Sequence, residues 1–137
     1  MLTLKDFYKG RDVAFKASLT PAIEKESSVT IARVNLLLSK YRIETRNYDT
    51  IHVTSGWRPP AINAATPNAA KASKHLLGQA CDLSDENGKL DEWLMTATGT
   101  KALEDCMLWH EHPRDTPKWV HVQTVPPGSK NRHFYAK

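Results

Sequence analysis

Trp119-Val120-His121-Val122-Gln123 constrains the fold of this chain more than any other stretch. Its alternation belongs to a β-strand, where neighbouring side chains point to opposite faces. Val120 and Val122 require a core beneath them, so the opposite face carries Trp119, His121 and Gln123. Upstream, Lys74-His75-Leu76-Leu77-Gly78-Gln79-Ala80-Cys81-Asp82 sets an imidazole and a carboxylate seven positions apart across a glycine. Two histidines and one aspartate are a common protein set for zinc with a fourth position left open to water. An open position separates a catalytic metal from a structural one. If His75, Asp82 and His121 meet, the expected chemistry is that of a metal-dependent hydrolase.

The rest of the sequence predicts an α+β domain, a small antiparallel sheet with helices packed on it. Residues 1–24 read as a polar N-terminal arm of short helical pieces, broken at Gly10 and at Pro21. Ser28 to Tyr41 is the clearest helix, with Val29, Ala32, Val34, Leu36, Leu37, Leu38 and Tyr41 at helical spacing. Ile51 to Ser55 is β-branched, alternates, and stops at Gly56, as a strand does. Ala61 to Ala65 reads as a short helix and Gln79 to Leu83 as a second strand. Leu90 to Ala97 and Thr100 to Glu104 read as helices, and Cys106 to Glu111 and Lys118 to Thr124 as strands around Pro113 and Pro117. From Val125 to Lys137 the chain reads as an extended tail.

At 137 residues the chain is long enough to bury a core as one domain, 1–137, and 40% hydrophobic with 25% charged residues is ordinary for a globular protein. The start, Met1 to Phe7, carries charge where a signal peptide needs an apolar region, and no apolar run approaches a membrane span. The expectation is synthesis in the cytoplasm, no membrane insertion, and a monomer. The net charge of +4 is modest and scattered, densest over Ser129 to His133, with no nucleic-acid-binding motif beside it. Cys81 and Cys106 read as free buried thiols. If Asp82 faces the site, Cys81 faces the core.

Strand parity also supplies a candidate base. If Cys106–His112 and Lys118–Thr124 form a hairpin that places Glu111 opposite Trp119, then Glu111 and His121 are diagonal neighbours on one face, within roughly 8 Å. Glu111 is then the expected general base, taking a proton from water and passing it to the leaving amine. Zinc lowers the pKa of water it holds to about 7 and polarises a carbonyl. Arg58, at the strand exit, is a candidate for binding a substrate carboxylate or the developing oxyanion. Ser73, two before His75, could bind substrate or orient a ligand. Each has a bland alternative: Asp82 as a turn cap, Arg58 as a surface ion pair. His52, His110, His112 and His133 read as structural hydrogen-bonders or exposed residues.

Ser55-Gly56-Trp57-Arg58-Pro59-Pro60, Ser73-Lys74-His75, Gly78 through Asp82, and Trp119-Val120-His121 together resemble the zinc D-Ala-D-Ala carboxypeptidases, metallopeptidase family fifteen. That family shares its metal site with lysostaphin-type enzymes and with hedgehog. The resemblance spans about Val53 to Phe134 and is closest to the compact phage- and prophage-associated branch, through Pro59 to Asn63, Leu108 to Pro113 and Gln123 to Pro127. It implies a hedgehog/D,D-peptidase-like fold, with His75, Asp82 and His121 as zinc ligands and Arg58 and Ser73 lining the substrate site. Many members carry the general base three residues before the last ligand, where this chain has Lys118. Glu111 is the expected replacement and Asp115 the alternative.

The implied substrate is the peptidoglycan stem peptide, cut as a D-Ala-D-Ala carboxypeptidase, a D,D-endopeptidase or an L-Ala-D-Glu endopeptidase. The implied role is endolysin-like: a phage or prophage product acting on the cell wall after release. Two alternatives stay open. Lys118 in place of an acid suits a non-catalytic zinc-containing wall-binding or virion structural protein. The missing export signal suits a cytoplasmic D-Ala-D-Ala dipeptidase.

Overall fold

A computed structural model describes residues 1–136. Helices α1 (Leu4–Tyr8) and α2 (Arg11–Ala14) and a 3-10 turn (Lys16–Ser18) lead into the long helix α3 (Pro21–Thr45). Strand β1 (Val53–Ser55) is followed by α4 (Pro60–Ala65), a 3-10 turn (Lys74–Leu77) and β2 (Ala80–Ser84). Then come α5 (Lys89–Leu94), α6 (Ala97–Asp105), β3 (Trp109–Glu111), a 3-10 turn (Pro113–Asp115), β4 (Trp119–Gln123) and β5 (His133–Phe134). The chain is α+β, as its sequence predicts.

The five strands form one sheet in the order β1-β2-β4-β3-β5. The first three pairings are antiparallel, and β5 joins β3 in parallel. This corrects the expected extended tail: after Pro126 the chain returns to close the sheet edge. Two backbone bonds hold it there, from His110 N to the Arg132 carbonyl at 2.9 Å and from His112 N to the Phe134 carbonyl at 2.7 Å.

Helix α3 begins seven residues earlier than expected. Pro21 is not a breaker but the first helical residue, where its missing N–H costs nothing, and the Thr20 hydroxyl caps the turn by accepting from Ile23 N at 3.2 Å. The buried stripe is Ser27, Thr30, Ile31, Val34, Leu37, Leu38 and Tyr41, a strict 3–4 spacing. Ala32 and Leu36, expected inside, face outward. The polar members of the stripe are used: Thr30 Oγ1 donates to the Gly78 carbonyl at 2.7 Å and ties α3 to the loop behind His75.

The core lies between α3, α5, α6 and one sheet face, which contributes Cys81, Leu83, Val120 and Val122. Burying one such leucine or valine stabilises the fold by roughly 1.5–3 kcal/mol relative to exposure. Phe7 and Tyr8 belong to the same core, so the N-terminal arm packs onto the domain rather than projecting from it. Gly56 makes that packing tight. A Cβ at this position would overlap the Phe7 carbonyl and ring. Among the described residues no helix is long and apolar enough to cross a membrane.

The register of β3 on β4 differs from expectation by two residues. Trp109 pairs with Gln123 and His110 with Val122, which carries Glu111 toward His121 itself rather than toward Trp119. A two-residue shift preserves which face each side chain occupies, so Glu111 still shares a face with His121.

Candidate metal centre

Three elements deliver the metal-binding candidates. His75 sits on the 3-10 turn between α4 and β2, Asp82 at the middle of β2, and His121 at the middle of β4. Asp82 and His121 are direct partners across the antiparallel pair. His75 reaches them because Ser73 caps its turn, accepting from His75 N at 3.2 Å, and because Gly78 ends it at φ +74. Only glycine takes that left-handed bend without strain, and a Cβ there would also press on Ser27 Oγ.

All three side chains are buried, and one ligand atom from each lies within 4.8 Å of the others. His75 Nε2 is 3.2 Å from Asp82 Oδ2, and His121 Nδ1 is 2.8 Å from Asp82 Oδ1. The outer partners decide where the imidazole protons sit. His75 Nδ1 lies 2.7 Å from the Gly56 carbonyl, which can only accept, so Nδ1 carries the hydrogen and Nε2 the lone pair. Gln123 Nε2 donates to the Val125 carbonyl at 2.9 Å, which turns Oε1 toward His121. His121 Nε2, 2.9 Å from that oxygen, donates to it and leaves a lone pair on Nδ1. With His121 neutral, two nitrogen lone pairs and one carboxylate therefore face a common point. This group could hold a metal ion.

The electrostatics agree with that donor set. Burial pulls the His75 pKa down despite Asp82, which favours its neutral, ligating form. Burial would raise the Asp82 carboxyl, but its interactions with the two imidazoles outweigh burial and hold Asp82 below the ordinary carboxylate range. Burial would lower His121, but its hydrogen bond and charge interaction with Asp82 raise it overall. A proton on Nδ1 and a cation thus compete for the gap. Cys81 is not a fourth ligand: it points into the core, and burial pushes its thiol far above the normal range.

The centre opens into a cleft of about 820 Å³ whose lining includes Arg58, Ser73, Glu111, Asp115, Trp119, Gln123 and Phe134. All six site residues expected from sequence therefore border one space. Arg58 leaves the end of β1, its N–H held by the His75 carbonyl at 3.0 Å and its Nη2 donating to Ser73 Oγ at 3.1 Å. Its Nε is buried with no acceptor in the protein. Burial lowers the Arg58 pKa, partly opposed by Asp82.

The two candidate bases differ in how they are held. No protein group among the described residues donates a hydrogen bond to the Glu111 carboxylate. Burial raises its pKa, reinforced by Asp82 and Asp115 and opposed by His121. Asp115 is committed: Oδ2 accepts from Ala136 N at 2.9 Å and Oδ1 lies 3.5 Å from Arg114 Nε, and the Ala136 bond is the main cause of its lowered pKa. Lys118 is exposed at φ +69 and does not line the cleft.

The roles of Gly56 and Gln123 as partners of the two histidines are not readable from residue type alone. For Gln123 a signal exists, since it shares a face with His121 two positions away. For the Gly56 carbonyl none does. His110 and His133 are structural hydrogen-bonders, with His110 Nε2 2.7 Å from Asp91 Oδ1, while His52 is exposed. No family model matches this sequence, and comparison with curated proteins and with solved structures finds no match either.

Proposed function

We propose that this chain is a zinc-dependent peptidase that cleaves peptidoglycan stem peptides. One observation carries the reading: two imidazoles with outward hydrogens already committed turn their lone pairs onto a buried carboxylate, beside an unpaired glutamate, in a cleft that also presents an arginine. Two nitrogens and one carboxylate oxygen are a typical protein donor set for catalytic zinc. The proposal draws its substrate class from the resemblance of these segments to the zinc D-Ala-D-Ala carboxypeptidases, and a hedgehog/D,D-peptidase-like fold belongs to the same proposal.

In this reading His75, Asp82 and His121 hold the metal, and the metal supplies Lewis acidity for water and for the scissile carbonyl. The remaining work falls to the chain's own side chains. Arg58 binds a substrate carboxylate or the developing oxyanion with the donors that Ser73 does not use. Glu111 accepts a proton as water oxygen bonds to the carbonyl carbon, then returns it to the amine nitrogen as the C–N bond breaks. Its raised pKa suits both halves of that transfer. Glu111 in the cleft also weakens the non-catalytic alternative, whose support is Lys118 in the place of an acid.

The test is incubation of zinc-loaded protein with defined muropeptides and identification of the cut bond by mass spectrometry. Release of D-Ala, of the halves of a cross-linked dimer, or of a peptide that begins at D-Glu assigns the specificity. No cleavage of any wall peptide, with zinc bound at full stoichiometry, replaces the peptidase with a binding protein. Cleavage confined to free D-Ala-D-Ala selects the dipeptidase.

A further inference from the structure

The N-terminal arm reaches the cleft. Arg11, the first residue of α2, lines it together with Arg58, and Arg11 Nη1 donates at 2.9 Å to the carbonyl of Trp57, the residue before Arg58. One guanidinium is thus anchored to the backbone that carries the other. Burial lowers the pKa of both, and the charge of Arg11 adds to the effect at Arg58. Among the described residues neither forms a salt bridge. Arg58 Nε is buried without an acceptor. Two partly desolvated like charges with unused donors and no carboxylate in direct contact are unfavourable until an anion joins them, and the longer-range charge of Asp82 offsets this only in part.

The charge of the whole cleft points the same way. Arg11, Arg58 and Lys74 are matched in number by Asp82, Glu111 and Asp115, so a divalent cation among the metal ligands leaves the cleft net positive. The acids come from β2, β3 and the turn after β3, whereas the two arginines come from the arm and the β1 exit.

Resting on the peptidase reading above, we propose that Arg11 and Arg58 together form a carboxylate subsite, with Arg11 selecting peptides that present a free carboxylate next to the scissile bond. Arginine suits this because its planar fork matches a carboxylate and cannot be neutralised. A peptide whose carboxylate is blocked as an amide brings no negative charge to these donors, which is the source of discrimination. The carboxylate can be a peptide C-terminus or the α-carboxylate of a γ-linked glutamate, which share this chemistry.

The experiment uses full-length protein and three probes: a peptide ending in D-Ala-D-Ala as free acid, the same peptide as C-terminal amide, and a C-terminally amidated peptide containing γ-linked D-Glu. Binding is measured by calorimetry on metal-free protein and turnover on zinc-loaded protein. The free acid is expected to bind more tightly than its amide, and Arg11→Gln to weaken acid binding and raise its KM on the order of tenfold while kcat and the amide are little changed. The same dependence on Arg11 with the γ-linked peptide assigns the carboxylate to glutamate instead. Arg11→Lys is expected to recover part of the preference, and circular dichroism reports whether each variant keeps the parental fold. Equal binding of acid and amide by the parent overturns the subsite whatever the variants do, as does an equal loss of both probes in a folded Arg11→Gln. Acid-selective, Arg11-dependent binding with no turnover of any probe keeps the subsite and removes the peptidase.

Discussion

Asp82 and His121 stand directly opposite each other on β2 and β4, with the carboxylate Oδ1 2.8 Å from ring Nδ1. A proton and a metal ion compete for that gap. The hydrogen bond and charge of Asp82 raise the His121 pKa against the opposing effect of burial. Its contribution to metal-free stability is therefore full below the ordinary histidine value and is lost as pH rises through the raised one. Zinc affinity is expected to climb through that same window, with a proton released on binding. Calorimetry in buffers of different ionisation enthalpy measures both. A pH-independent affinity across the histidine range contradicts it.

Gln123 orients His121 and is itself held by the Val125 carbonyl. Gln123→Leu keeps the shape but removes the acceptor for Nε2–H, freeing the ring to take the other tautomer. Zinc affinity is expected to fall by about 10–100-fold, read by competition with a chelating dye. His75→Ala with His121→Ala is expected to abolish stoichiometric zinc altogether.

Glu111→Gln is expected to lower kcat by about 10²–10⁴-fold with zinc content unchanged, because it removes a proton acceptor and no ligand. Asp115→Asn is expected to change kcat far less, since Asp115 already serves Ala136 and Arg114. The two variants side by side, assayed for both zinc and turnover, separate the candidates; the reverse ranking makes Asp115 the base.

A second polar cluster, under the core face of the sheet, predicts an unusual dependence of stability on pH. Thr100 Oγ1 donates to the Leu94 carbonyl and so accepts from His133 Nε2 at 2.8 Å. His133 Nδ1 then accepts from His110 Nδ1 at 2.9 Å, which leaves a lone pair on His110 Nε2 facing Asp91. A proton on Asp91 completes the chain. Burial raises Asp91 to about 7, with help from Asp85, and burial lowers His110 to about 3 and His133 to about 4. The histidines contribute stability present above their ordinary pKa and lost as pH falls through those low values. Asp91 behaves oppositely: its contribution is full below the ordinary aspartate pKa and lost as pH rises through about 7. Asp91→Asn donates an N–H to the same nitrogen at every pH. Relative to the parent, its urea midpoint is expected to rise from pH 5 to pH 8, and parallel curves refute the protonated Asp91.

The parity of Trp119 to Gln123 carried much of the site, because alternation is a local property that survives any register. This is why Glu111 came out on the correct face although its pairing was expected two residues away. Pro21 shows the limit of local signals. A proline stops a helix or starts one, and the Thr20 cap that decided for starting works only with a long buried stripe behind it. Phe7 and Tyr8 read as part of a polar arm because the apolar residues around them, Leu2, Leu4 and Phe15, are interspersed with charged ones and extend no helical or strand periodicity.

The α+β class, the side of the sheet on which His121 lies, and the residue types that meet there are legible in the sequence. These follow from periodicity and donor chemistry, which act over a few residues. Which nitrogen of each histidine is free depends on the folded chain, because the Gly56 carbonyl reaches His75 from 19 positions away and the Gln123 amide is turned toward His121 by the Val125 carbonyl. The tertiary structure likewise brought Arg11 to the cleft through a contact spanning 46 positions, and returned the tail as β5 beside β3. Contacts of that range depend on how helices and sheet pack together, and no local pattern encodes them.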